Sequence, residues 1–488
     1  MRSVCSAVVT ALALVSQPAL AEAPYAVDGL IEDWGDAAPA WTDAIGNGER
    51  IDIGRVWVRS DAERVTLRFE VAQHINLQSA NEVTLIIDGD GDASTGQSVQ
   101  GLGAEVSWTL GRKKGTMWRG DGAKSIGQSD IGLRQAPTVS SGQFEISLLR
   151  RVADGTALIP GPVASLVLVD GSGEKGDRAP DEGAIRVALS DAAPPPPLPV
   201  SLERRRPDDV RILTWNVLFD GLFKRPAPFI RVLRAVDPDI ICFQEIWSHT
   251  AADAADHVSL AIPEATWHGA HTTEGIIVSR YPILESQAVD EAGNYWALVD
   301  LPDDRYAADM SVVSAHPPCC DKEKERQREL DAIAAWVRDL ATPGGREIPQ
   351  GTPIVVAGDM NLVGSERQLR TLLAGEIVDE ATFGPSRPPD WDGTPLADAM
   401  PRLAGGRDTY TWRDATSPFA PGRLDYIVYS DSVARLGNAF VLATESLDAE
   451  TLMRYGLRAG DTLEASDHLP VVADLALAGA RARAGSSE

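Results

Sequence analysis

Between Tyr25 and about Val187 the chain alternates apolar and polar residues in short runs. Val56-Trp57-Val58, Val65 to Val71, Val83 to Ile87, Val106 to Leu110, Phe144 to Leu148 and Ala164 to Val169 are the clearest, and Gly, Asp and Asn separate them. A period of two suits a strand with one buried face, and closely spaced turn residues favour antiparallel neighbours. No stretch in this region repeats with a helical period. The pattern predicts an all-β sandwich domain over residues 22–190.

From Val210 the pattern changes. Val210 to Leu218, Asp239 to Ile246, Met310 to His316 and Pro353 to Gly358 are nearly continuous apolar runs, as strands covered on both faces must be. Helical candidates lie between them. The clearest spans about Asp321 to Leu340, where Leu330, Ile333, Ala334 and Val337 share a face and Pro343-Gly344-Gly345 ends it. Residues 208–478 are therefore expected to form an α/β layered sandwich, two packed sheets flanked by helices. The proline run from Pro194 to Pro199 separates the two patterns. Consecutive prolines lack N–H donors and favour extended chain, so 191–207 reads as a semi-rigid linker.

The ends add two expectations. Arg2, the apolar stretch Val8 to Val15 and Ala19-Leu20-Ala21 follow in the order of a secretory signal. They predict a signal peptide over 1–21 and export to a periplasm or to the outside. No other run is apolar enough for a transmembrane segment. Residues 479–488 are small, polar or basic and are expected to be disordered.

Charge narrows the partners. The 488-residue chain has 71 Asp and Glu against 45 Lys and Arg, a formal net charge of -26. Such a chain lacks the basic footprint for coating nucleic acid. Nuclease chemistry stays open, because a metal ion can supply local positive charge. Cys5 falls in the predicted signal, and the remaining Cys242, Cys319 and Cys320 cannot all pair with one another. Cys242 lies in an apolar run and reads as a small core residue. The vicinal Cys319-Cys320 has no metal-site spacing.

The candidate chemistry sits at strand ends. Asn216 follows the first apolar run of the second half, and Glu245 closes the next. His316 ends a later one. Asp359 and Asn361 stand in Gly358-Asp359-Met360-Asn361, Asp425 in Arg423-Leu424-Asp425-Tyr426, and Asp467 and His468 in Ser466-Asp467-His468. Ends of buried strands are where α/β folds place ligand sites. The oxygen donors suit a hard divalent cation such as Mg2+ or Mn2+. His316 and His468 are the groups in this set that titrate near neutrality. Metal, carboxylates and imidazoles together suffice for phosphate ester hydrolysis.

This ordered set resembles the endonuclease/exonuclease/phosphatase superfamily over about residues 209 to 477, and the segments Thr273 to Ile283 and Asp408 to Asp414 resemble it too. The resemblance implies a metal-dependent hydrolase acting on phosphate esters. It implies Glu245 as principal metal ligand, with Asn216 and Asp467 helping at the metal or phosphate. Asp359 would orient or deprotonate the attacking water, and Asn361 would hold Asp359 or the phosphate. His468 would serve the phosphate oxyanion or the proton, with Asp425 fixing its tautomer. His316 stands where deoxyribonuclease- and sphingomyelinase-like members carry a catalytic histidine. Which histidine is acid and which is base stays open.

Extracellular nucleic acid, a sphingomyelin-type lipid and a small phosphomonoester remain alternative substrates. A catalytically inactive binding protein is the alternative outside enzymology. In the first half, "VDGLIEDWGDAAPAW" and "LIIDGDGDASTG" resemble carbohydrate-binding β-sandwich modules. The resemblance implies a carbohydrate or cell-surface ligand, for which Trp34, Trp41, Trp57, Trp108 and Trp118 would stack unless they are core. Asp88, Asp90 and Asp92 invite a Ca2+ reading. The sixth position of that stretch is Ala93 and the twelfth Val99, so the EF-hand pattern fails and a turn is the favoured expectation.

Overall fold

A computed structural model describes residues 26–478 apart from 44, 121, 153–154, 172–175, 195, 197–200 and 272–273. The expected signal peptide, the expected disordered tail and much of the proline run lie outside the described residues.

All six alternating runs of the first half are strands. They sit within Ile53–Ser60, Arg64–Ile75, Val83–Asp88, Val106–Thr109, Ser141–Leu149 and Val163–Asp170. One five-stranded and one seven-stranded sheet result, and every pairing in them is antiparallel. Their shared core includes Ile53, Phe69, Leu85, Phe144 and Leu166. Among the described residues this half has no α-helix, only a 3-10 turn at Glu32–Trp34. Trp34, Trp57 and Trp108 are buried, and Trp41 and Trp118 pack against core clusters. The tryptophans are thus core rather than a stacking platform.

The aspartate-rich stretch forms a chain of side-chain-capped turns. Asp88 accepts from Gly91 N (2.6 Å), Asp90 from Asp92 N (2.9 Å) and Asp92 from Ser94 N (2.9 Å). Asp88 and Asp90 come together with Glu105, not Asp92. The stretch forms turns, as favoured above, with Asp92 turned toward Ser94.

In the second half two mixed sheets pack face to face. The first has seven strands with Ile240–Gln244, Val210–Asn216 and Val471–Leu477 at its centre; the second has six, with Met310–Ala315, Ile354–Asp359 and Asp425–Tyr429 at its centre. Ile212, Cys242, Val312, Val355, Ile427 and Val471 fill the space between the sheets. Helices Pro226–Val236 and Ala251–Ala261 cover the outer face of the first sheet, and Glu323–Leu340 covers that of the second. The expected helix starts two residues later than its pattern suggested and ends where expected. Burying Cys242 in this core pushes its thiol up to about 12, which makes it inert.

A buried ion pair closes the first sheet. Arg211 and Asp474 face each other across adjacent strands. Nε and Nη2 of the arginine donate to the two carboxylate oxygens at 2.6 and 2.8 Å, and Nη1 donates to Leu202 O and Val236 O. The bidentate geometry and the extra acceptors compensate the desolvation of both charges.

The halves pack against each other. Val139 of the sandwich joins the core under Glu323–Leu340, and Ala420 joins the sandwich core. Ion pairs Arg134–Asp408 (3.0 Å) and Arg402–Asp28 (2.9 Å) cross the seam.

Candidate active site

Pairing of the central strands brings the distant motifs together. Ala315 and Gly358 are register partners on adjacent parallel strands, so His316 and Asp359 emerge side by side. The approach is close enough to require glycine: a Cβ at Gly358 would lie 1.9 Å from Ala315 O. Asp359 and Asp425 are partners on the next pair. The second sheet thus aligns His316, Asp359 and Asp425, while the first delivers Asn216, Glu245 and His468 from across the core.

Both imidazoles meet one oxygen. His316 Nε2 lies 3.4 Å and His468 Nε2 3.5 Å from Asp359 Oδ2. Each Nδ1 has its own carboxylate, Glu274 at 3.2 Å for His316 and Asp425 at 2.9 Å for His468. Such pairs orient a ring and raise its basicity. Burial alone would lower the histidines' proton affinity. Hydrogen bonds to Asp359 and Glu274 raise His316 well above its ordinary value, and Asp425 and Asp359 push His468 up to about 10. Burial pushes Asp425 up to about 6 although His468 pulls it back. At neutral pH the pair is an imidazolium beside a carboxylate.

Other contacts set the geometry. Thr411 Oγ1 donates to Asp425 Oδ2 at 2.6 Å. Trp215 Nε1 donates to His468 O, and Ser466 Oγ accepts from His468 N. Asn216 Nδ2 donates to Glu245 Oε1 (2.9 Å) and Asp359 Oδ2 (3.1 Å), while its Oδ1 accepts from Leu218 N. Asn216 therefore holds two carboxylates from beneath the cleft. Asp467 accepts from Trp412 Nε1 at 2.9 Å. Asn361 N donates to Asp359 Oδ1, and Asn361 Nδ2 to Pro317 O in the loop after His316. Glu245 and Asn361 take left-handed backbone, φ 62° and 49°. Strain of this kind gathers at sites whose surroundings fix it.

All eight expected site residues fall in this region. Glu245, His316, Asp359, Asn361, Asp467 and His468 line a cleft of about 1120 Å³. Asn216 and Asp425 are fully buried and bonded to the lining residues Glu245, Asp359 and His468. Glu245, Asp359 and Asp467 offer oxygen donors at one cleft, and Asp359, Asp425 and His468 lie close enough together to share an ion. This donor set fits a hard divalent cation and gives a soft one no thiolate.

The pattern reading did not single out Glu274, Asn294, Thr411 or Trp412. Glu274 and Trp412 lie in segments marked only by family likeness. Asn294 accepts from His316 N (2.8 Å) and carries no motif. Arg280, in the segment Thr273 to Ile283, is paired with Asp237 and Asp239. Cys319 and Cys320 are bonded to each other in the exposed loop beyond His316.

Two packed sheets whose polar strand ends meet at a carboxylate–imidazole cluster make a layered α/β domain with its candidate site at the strand ends. Residues 213–468, just over half the chain, match the Endonuclease/Exonuclease/phosphatase family, and the chain belongs to that family. No curated protein matches the sequence. Solved structures similar to it include an endonuclease/exonuclease/phosphatase family protein from Leptotrichia buccalis, 14% identical over 55% of this chain and 100% of that one, TM-score 0.34. An AP endonuclease from Archaeoglobus fulgidus is 16% identical over 54% and 98%, TM-score 0.35. Beta toxin from Staphylococcus aureus, a variant with bound magnesium ions, is 16% identical over 55% and 99%, TM-score 0.30.

Proposed function

We propose that the chain is an exported, divalent-metal-dependent phosphodiesterase, with a sandwich domain, a proline-rich linker and a catalytic domain bounded as the sequence suggests. The convergence of His316 Nε2 and His468 Nε2 on Asp359 Oδ2 carries this reading. Two proton-handling groups around one ionised carboxylate are what displacement at phosphorus needs on its attacking and leaving sides.

Glu245 and Asp467, with Asn216 as their support, would hold Mg2+ or Mn2+, which supplies charge neutralisation at the phosphate when bound. Asp359 is positioned to accept a hydrogen bond from an incoming water and orient it. Burial favours its neutral form, but His468 and His316 keep its carboxyl below the usual range, so it is an acceptor at neutral pH. His468, held by Asp425, presents an N–H to a phosphate oxygen or leaving group. His316, held by Glu274, does the same from the other side.

The test is hydrolysis by the full chain of double-stranded DNA, RNA, sphingomyelin, an aryl phosphodiester and an aryl phosphomonoester, with Mg2+ or Mn2+. Activity on a diester that chelator abolishes and Mg2+ restores is the expected result. Activity indifferent to chelator and to His468→Ala in a folded protein would sink the reading.

A further inference from the structure

The cleft is not built by the catalytic half alone. Asn76, Gln78, Ser79, Thr138 and Ser140 of the sandwich line it beside His316 and His468. The sandwich also holds the loops that complete the rim. Ser140 N donates to Gly364 O (2.8 Å), Ala420 N donates to Gln78 Oε1 (3.0 Å), and Asn76 Nδ2 donates to Val363 O. Val363, Gly364 and Ala420 are lining residues themselves.

The charge of this cleft is one-sided. Beyond the carboxylates of the candidate centre, Asp321 and Glu323 line it, as does Glu329, whose carboxyl burial pushes up to about 7. Arg326 is its only arginine or lysine among the described residues, and that guanidinium is buried. Its Nε donates to Gln368 Oε1 (2.9 Å) and its Nη1 to Pro318 O (2.7 Å). The groove that continues past Ser140 and Ser365 does not reverse the sign. Lys324, Arg367 and Arg370 there share the lining with Asp321, Glu323, Glu325 and Glu366, and Arg370 is paired with Glu366 and Glu376. The rim carries aromatic surface, Phe219, Trp247 and Phe419 being 60%, 51% and 43% exposed, with Lys224 Nζ donating to Phe219 O (2.6 Å) and Lys113 Nζ 4.6 Å from the Phe419 ring.

A nucleic acid brings a phosphate at every step, and its binding depends on several Lys and Arg contacts along the backbone. Here most of the charged side chains lining the cleft are carboxylates. A single phosphate at the centre could be neutralised by one divalent ion, with uncharged groups resting on aromatic rings and on the amides and hydroxyls of the sandwich wall. We propose that the sandwich is a working wall of the substrate cleft and that the cleft selects a phosphodiester whose only charge is the reacting phosphate, over a nucleic-acid polyanion. This rests on the phosphodiesterase reading above.

The experiment uses the full chain with Mg2+ and compares bis(p-nitrophenyl) phosphate with double-stranded DNA at low salt. Ser79→Trp, at an exposed wall position, and Gln78→Ala are measured beside it, with thermal melts to verify folding. The expected result is a kcat/KM for the aryl diester at least about tenfold above that per phosphodiester of DNA, and a KM for it raised about fivefold by Ser79→Trp at nearly constant kcat. Preference for DNA overturns the substrate class. An unchanged KM in both folded variants overturns the wall. If the unsubstituted chain cleaves neither substrate with Mg2+ or Mn2+, it is the phosphodiesterase reading that has failed.

Discussion

In the sandwich half Glu145 is buried among N–H donors, accepting from Trp34 Nε1 (2.6 Å), Gly29 N (2.8 Å) and Asp28 N (3.1 Å). The cation opposite it in register, Arg68, is turned onto the Trp57 ring. Burial pushes the Glu145 carboxyl up to about 7 in spite of those donors. In the catalytic half Asp359 is as deeply buried, yet His468 and His316 hold it below the usual carboxylate range. The difference teaches that neutral donors alone do not keep this buried acid ionised, whereas imidazolium neighbours do. One half uses its buried acid to tie down a segment of chain; the other keeps its acid charged where a substrate can reach.

The comparison can be broken at several points. Replacing His468 by Ala should cost the most, a fall in kcat of about 10²–10⁴, measured at saturating substrate on protein whose melting is unchanged. A smaller loss would mean that Asp359 does not depend on this partner. Asp474→Ala tests the structural ion pair of the same half. It leaves Arg211 charged and unpaired in the core, and chemical denaturation should show a loss of about 3–5 kcal/mol.

Glu145 sets a pH test for the other half. Its folded carboxyl titrates near 7, above the ordinary glutamate value of about 4.3. The unfolded chain therefore releases the proton first, and stability falls as pH rises between those values, by at most about 4 kcal/mol. Below the window both states are protonated, and above it both are ionised, so the contribution is flat on either side. In Glu145→Gln the drop in melting temperature from pH 5 to pH 7.5 should be smaller than in the unsubstituted chain. An equal drop would remove Glu145 from the account. The smallest effect is expected at the seam, where Arg134→Ala breaks a partly exposed pair with Asp408 and should cost under about 1 kcal/mol in a urea titration.

Local pattern made much of this legible. Alternating runs became strands because a period of two matches a pleated face, and Leu330, Ile333, Ala334 and Val337 marked a helix because they share one of its faces. The candidate residues were legible because each motif closes or opens an apolar run, and strand ends are where an α/β sheet exposes polar groups. Glu274 and Asn294 were not. Their roles consist of a contact to His316, which lies 42 and 22 residues further along the chain; family likeness marked the segment around Glu274, but no local periodicity reports either contact.

The sequence by itself determined which segments are strands, which half carries the chemistry and which side chains are available for it. Those are local matters of periodicity, turn residues and donor type. Only the tertiary structure decided that two histidines share one oxygen of Asp359, that Asn216 and Asp425 work from beneath the cleft, and that a domain set apart by a proline run comes back to wall it. These depend on strand register and on the packing of sheets and halves, where residues far apart along the chain become neighbours.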